Sequence, residues 1–167
     1  AVRRGGLTPQ DVFFDFLTFT LASGDESLCE AGAETLKAVR QAKHRFPKSF
    51  TLLGVSNISY GLAPPARRAL NTVFLHHAVE HGLDAAILHA GRIEPLSLLD
   101  AETVSRCEDL IYNRRSGAGT PLEALLAHFK VRPSGAGREL TAVSRQPSAV
   151  GDFVLAGDRA GITDAVS

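Results

Sequence analysis

Asp15, Asn57 and His89 are the residues of this chain whose type and setting could do chemistry on a ligand. Asp15 stands between Phe14 and Phe16, inside a segment from Val12 to Thr20 that is rich in Phe and Thr and reads as a strand. A carboxylate in so apolar a strand is costly unless it is paired or hydrogen-bonded. A salt bridge or a neighbouring backbone amide would meet that need, and so would a ligand. Asn57 follows the apolar run from Thr51 to Val55, which Gly54 interrupts, and with Ser56 it precedes Gly61 and Ala63-Pro64-Pro65. The pattern predicts a buried strand that carries polar side chains into a loop at its C-terminal end, with a helix starting at or just after the prolines. In a sheet with helices outside, ligands bind at that end of the strands. Asn57 is therefore the first candidate. His89 comes directly after the apolar stretch from Asp84 to Leu88, where it could serve a ligand or cap the strand by bonding a backbone carbonyl.

The other reactive side chains suggest less. His77 and His81 are four residues apart on a predicted helix, but no glutamate intervenes as in a zinc protease motif, and the helix lies outside the sheet, which disfavours a metal role. Cys29 and Cys107 are far apart without C-x-x-C spacing, each in a predicted helix, and read as buried reduced thiols. The 18 basic residues balance the 18 acidic ones, so no overall field recruits nucleic acid or anionic lipid. No apolar run approaches the roughly 18 residues that span a bilayer, and the N-terminus has no signal-peptide core, so a cytoplasmic protein without membrane or nucleic-acid partners is expected. The chain starts at Ala1, contains no methionine and stops at Ser167 within a predicted helix, which suggests a piece of something longer.

Three strands must position the candidates: Val12 to Thr20, Phe50 to Val55 and Asp84 to Leu88. Between and after them run helical stripes. Leu28, Gly32, Leu36, Val39 and Phe46 form one, with Ser23 or Asp25 available as N-cap and Pro47 as its stop. Leu70, Val73, Phe74, His77, Ala78 and His81 form the next, ended by Gly82. Val104, Cys107 and Ile111 stripe a third, and Leu122, Leu125, Leu126 and Phe129 a fourth that opens on Pro121. Alternating strands and helices are the mark of parallel βαβ units in an α/β fold. Residues 131–147 hold Pro133, Gly135, Gly137 and Pro147 without periodicity and read as a linker.

Gly54-Val55-Ser56-Asn57-Ile58-Ser59-Tyr60-Gly61-Leu62, followed by Arg67 and by Leu70-Asn71-Thr72-Val73-Phe74-Leu75, resembles the pterin-binding domain of the cobalamin-dependent methionine synthase family, whose signature is G-x-S-N-x-S-[FY]-G-L. The stretch Phe13 to Phe19 is similar to a family strand with an internal aspartate, Gly82 to Ala90 to its last barrel strand, and Glu108 to Arg115 to a helix beyond it. The similarity runs unbroken from about residue 7 to about residue 130.

That resemblance implies an α/β fold comprising the C-terminal portion, about three βα units, of a TIM-barrel pterin-binding domain over residues 1–130. The linker 131–147 would follow, then, at 148–167, the start of the helical cap of a cobalamin-binding domain, since Ala156-Gly157-Asp158-Arg159-Ala160-Gly161 resembles the family's D-G-[DE]-R-x-G turn. A full barrel needs about 250 residues, so earlier strands, with some of the pterin contacts, would be missing. Exposed sheet edges and faces then make the isolated chain marginal or insoluble. The implied ligand is 5-methyltetrahydrofolate, a tetrahydrofolate-type small molecule, and the implied reaction is transfer of its N5-methyl group to cob(I)alamin and on to homocysteine. Asp15, Gly54, Ser56, Asn57, Arg67 and His89 would meet the pterin, with Asn57 also catalytic; Arg68 competes with Arg67 for its assignment. Cobalamin would be held by a partner domain of the same full-length protein, and zinc would belong only to a homocysteine domain. Two alternatives remain: a stand-alone methyltransferase acting on a corrinoid protein, and a non-catalytic truncated fragment.

Overall fold

The computed structural model describes residues 6–115 and 119–131. The order of elements is β1 (Phe13–Phe16), α1 (Ala31–Arg45), β2 (Phe50–Gly54), α2 (Pro64–Glu80), β3 (Ala85–Ile87), α3 (Ala101–Ile111) and α4 (Pro121–Val131). The three strands form one parallel sheet in the order β1-β2-β3. Phe13 pairs with Phe50 and Asp15 with Leu52, while Leu52 pairs with Ala85 and Gly54 with Ile87. The predicted strands are thus present but shorter, β1 and β3 at both ends and β2 at its C-terminal end, where Val55 lies outside the sheet. After Gly54 the chain leaves the sheet for a short 3-10 turn, Val55–Ser59. The predicted linker 131–147 and cap 148–167 lie outside the described residues, except for Val131 at the end of α4.

Alternation along the strands separates two faces. Thr51 and Leu53 point under the helices and are fully buried with Leu36, Val39, Leu70, Val73 and Phe74. On the opposite face Phe13, Phe50 and Ile87 are exposed, with Phe13 and Phe50 stacked at 4.9 Å between ring centroids. Asp15 shares that open face and is exposed. Its carboxylate therefore bears no desolvation penalty of the kind that its phenylalanine neighbours suggest in sequence.

Several local expectations change. Cys29 lies in the turn before α1 and is exposed, not inside a helix and not buried. Cys107 is buried in α3, where burial, aided by the charge of Glu108, pushes its thiol up to about 12 and leaves it inert. Asp25 does act as a cap, but of the short 3-10 turn Glu26–Leu28, accepting from the Ser27 N–H; α1 begins later, after Glu30. Phe46 falls beyond α1, half-exposed, and stacks on Phe14 instead of continuing the helical stripe. α2 follows its sequence signals closely. Pro64 occupies its first turn, and at its end the N–H groups of Gly82 and Leu83 bond the carbonyls of Val79 and Ala78 at 2.9 Å each, a Schellman motif that Gly82 permits at φ +96°.

Candidate functional site

Because all three strands run in one direction, their C-terminal ends form one rim of the sheet, and a cleft of about 400 Å³ opens there. Asp15, Phe16, Leu17 and Thr18 line it from β1 and beyond, Gly54, Ser56 and Asn57 from β2 and its turn, and Ile87 and Leu88 from β3. Apolar walls with a few polar groups are the usual make-up of a small-molecule site. Neither the carboxylate of Asp15 nor the side-chain amide of Asn57 has a hydrogen-bonding or ionic partner among the described residues, and both are exposed. Each keeps its full capacity for a ligand: acceptors only on Asp15, a donor and an acceptor on Asn57.

The sequence around Asn57 explains how its side chain comes to the cleft. Gly54 ends β2, and a Cβ placed there would lie 3.1 Å from Asn57 Nδ2, so the missing side chain makes room for the amide. The backbone of the turn is then tied down. Asn57 O accepts from Tyr60 N–H at 3.1 Å, Ile58 O from Leu21 N–H at 3.0 Å and Ser59 O from Leu62 N–H at 3.1 Å. Tyr60 O accepts from the Thr20 hydroxyl at 2.6 Å, and Ser56 O from the Ser59 hydroxyl and from Arg67 Nη2, both at 3.3 Å. Five consecutive carbonyls are engaged, and the side chain they present is not.

The remaining candidates are placed differently. Arg67 is half-buried on α2, and its guanidinium is directed at Ser59 Oγ and Ser56 O, not at the cleft lining. Arg68 turns to an ion pair with Glu94 at 3.6 Å. His89 is exposed beyond the cleft lining, with its ring beside Gly91. The structure thus brings together Asp15, Gly54, Ser56 and Asn57 from distant parts of the sequence and leaves Arg67 and His89 outside the lining. Thr18 and Ile87 are lining residues that the sequence did not single out. The Thr18 hydroxyl is buried and unbonded among the described residues, an unpaired state that burial normally penalises; its one sequence signal is a polar residue two positions past the end of β1.

No group of three or more His, Cys, Asp or Glu side chains is placed to hold a metal ion among the described residues. His77 instead bridges Glu80 at 3.3 Å and Glu108 at 3.1 Å, joining α2 to α3. Among the described residues no helix is long and apolar enough to cross a membrane.

The family model described as "Pterin binding enzyme" matches residues 1–89. A methionine synthase of Mycobacterium leprae (strain TN) is 43% identical over 134 residues, which make up 80% of this chain and 11% of the relative. A methionine synthase of Mycobacterium tuberculosis (strain ATCC 25618 / H37Rv) is 44% identical over 125 residues, 75% of this chain and 10% of the relative. The chain spans about a tenth of the length of these curated relatives. Since the family match takes in more than half of the 167 residues and contains Asp15, Gly54, Ser56 and Asn57, the chain belongs to the pterin binding enzyme family.

Proposed function

We propose that this chain is the C-terminal part of the pterin-binding barrel of a cobalamin-dependent methionine synthase, and that it helps to hold 5-methyltetrahydrofolate while the N5-methyl group leaves for cob(I)alamin. The observation that carries this reading is the convergence of an unpaired carboxylate, Asp15, and an unpaired amide, Asn57, on one cleft at the C-terminal rim of a parallel sheet. A pterin presents an amide N–H beside an exocyclic amino group, and a carboxylate accepts the two in a fork. Asp15 takes that role. The flat ring lies between the rim of β1 and the turn after β2, against Leu17 and Ile87.

Methyl loss from N5 leaves an amine anion unless N5 first gains positive character, so the reaction needs a proton or a strong hydrogen bond at that nitrogen. Asn57 can give an N–H to a neutral N5 or accept from a protonated one, and Gly54 leaves its amide the space to do so. The Ser56 side chain lines the same wall and can bond the ring edge. His89, two residues past the end of β3 and outside the cleft lining, would meet only an outer part of the ligand. The described residues do not fit a corrin: the cleft of about 400 Å³ suits a bicyclic ring and not a macrocycle, so cobalamin belongs to another domain of the full-length protein. Zinc, with homocysteine, belongs to a separate homocysteine domain.

The test is made on the full-length protein with 5-methyltetrahydrofolate as ligand and exogenous cob(I)alamin as acceptor. Asn57→Ala is expected to slow methyl transfer by about 100-fold, the loss typical of a group that stabilises charge only in the transition state. An Asn57→Ala protein that transfers methyl groups at the wild-type rate per folded molecule would refute the assignment.

A further inference from the structure

Arg67 stands one turn into α2, where the helix dipole disfavours a cation, and it has no carboxylate partner among the described residues. Something other than charge pairing must justify its position. Taking the folate reading above as its premise, the geometry points to Arg67 as a positioning residue: its guanidinium clamps the turn that aims Asn57 into the cleft and does not itself touch the pterin.

Arg67 Nε donates to Ser59 Oγ at 3.2 Å and Nη2 to Ser56 O at 3.3 Å, and the Ser59 hydroxyl donates in turn to Ser56 O at 3.3 Å. Ser56 O belongs to the peptide group whose nitrogen is that of Asn57. Holding this plane sets the axis about which the Asn57 side chain swings. The carbonyls of Asn57, Ile58 and Ser59 accept from the N–H groups of Tyr60, Leu21 and Leu62, and Tyr60 O accepts from the Thr20 hydroxyl. Ser56 O, which lies inside the 3-10 turn Val55–Ser59, is held as well by a charged side chain, Arg67, directly and through the Ser59 hydroxyl. A rigid planar fork can span a hydroxyl and a carbonyl at once, whereas a lysine ammonium on a flexible stem cannot hold the two in fixed relation.

A double-mutant cycle in the full-length protein tests the assignment, with methyl transfer from 5-methyltetrahydrofolate to exogenous cob(I)alamin as readout and folded fraction measured for every variant. Arg67→Ala is expected to lower kcat by about 10-fold with KM for the folate changed less than about 2-fold, because loose aim weakens the reactive geometry more than ground-state binding. Ser59→Ala, a milder change that removes the Nε acceptor, is expected to lower kcat by about 3-fold. In an Asn57→Ala background both losses shrink below about 2-fold, since there is no amide left to aim. Arg67→Lys, which keeps the charge but not the fork, falls between wild type and Arg67→Ala. A rise in KM at unchanged kcat would mean that Arg67 binds folate directly, and equal losses with and without Asn57 would mean a general structural role; either result overturns the positioning role and leaves the folate reading standing. If Asn57→Ala alone has no effect, both fall together.

Discussion

The two rims of the sheet are built in opposite ways. At the N-terminal rim, polar groups are saturated. Asp84, just ahead of β3, accepts from Lys43 Nζ at 2.9 Å, from the Thr51 N–H at 2.8 Å and from the Thr51 hydroxyl at 3.0 Å. Lys43 also donates to Ser49 O, and the Ser49 hydroxyl to Pro9 O. These bonds join α1, β2, β3 and the segment before β1. At the C-terminal rim, Asp15 and Asn57 carry the same kinds of group with no partner among the described residues, while the backbone beneath Asn57 is fully engaged. One end of the sheet uses its polar side chains to hold the fold, and the other keeps them free on a rigid base. That division is expected where one rim serves stability and the other serves a ligand.

Breaking the saturated rim gives the largest expected effect. Asp84→Ala strips the Thr51 N–H and Lys43 of their acceptor, and with the pair still about a quarter exposed (side chains 28% and 26%) the loss of stability is expected to be ~2 kcal/mol. Denaturant unfolding of the full-length protein reads this. Folate affinity per folded molecule should not change; if it falls with stability, the two rims are not separate in function. Acid should act on the same group. Burial pushes the Asp84 carboxyl up, but the Lys43 ammonium and the N–H and hydroxyl of Thr51 together outweigh it and hold the carboxyl below its ordinary range. A depressed folded value means that this stabilisation is complete above about pH 4 and is lost as pH falls further. Asp84→Ala should remove that part of the acid sensitivity.

Breaking the open rim should do the reverse. Asp15→Asn cannot accept two donors in a fork, so folate affinity of the full-length protein is expected to fall ~10-fold, with unfolding stability within about 0.5 kcal/mol of wild type. A large stability loss would show that Asp15 is structural after all. The smallest effect belongs to Gly54→Ala. Its φ of −79° suits alanine, but the added Cβ would press on Asn57 Nδ2 from 3.1 Å, so that the amide must shift by a few tenths of an ångström. Methyl transfer should drop ~3-fold with stability nearly unchanged. An unchanged rate would show that the approach of Asn57 to Gly54 has no bearing on its aim.

Legibility in the sequence differed from element to element for identifiable reasons. α2 was readable because its start and stop are local: prolines that suit a first turn and a glycine that accepts positive φ. The start of α1 was less so, since Asp25 is as good a cap for a three-residue turn as for a long helix, and only the backbone path tells them apart. Cys29 was expected to be buried because it fell within a predicted helix, but α1 begins only after Glu30 and leaves Cys29 in the exposed turn before it. Asp15 and Asn57 stood out as polar groups next to apolar runs. Thr18 did not, because a threonine is ordinary at the end of a strand and its orphaned hydroxyl is visible only in three dimensions.

The order of strands and helices, the direction in which the polar ends point and the family likeness around Asn57 were all determined by the sequence, because each depends on residues within a few positions of one another. Tertiary structure alone decided that Asp15 and Asn57, 42 positions apart, share one cleft, that Asp84 is fully bonded while Asp15 is not, and that Arg67 turns to Ser56 and Ser59. Those outcomes depend on which strand lies beside which and in what register. Register follows from packing of the whole buried face, which no local pattern encodes.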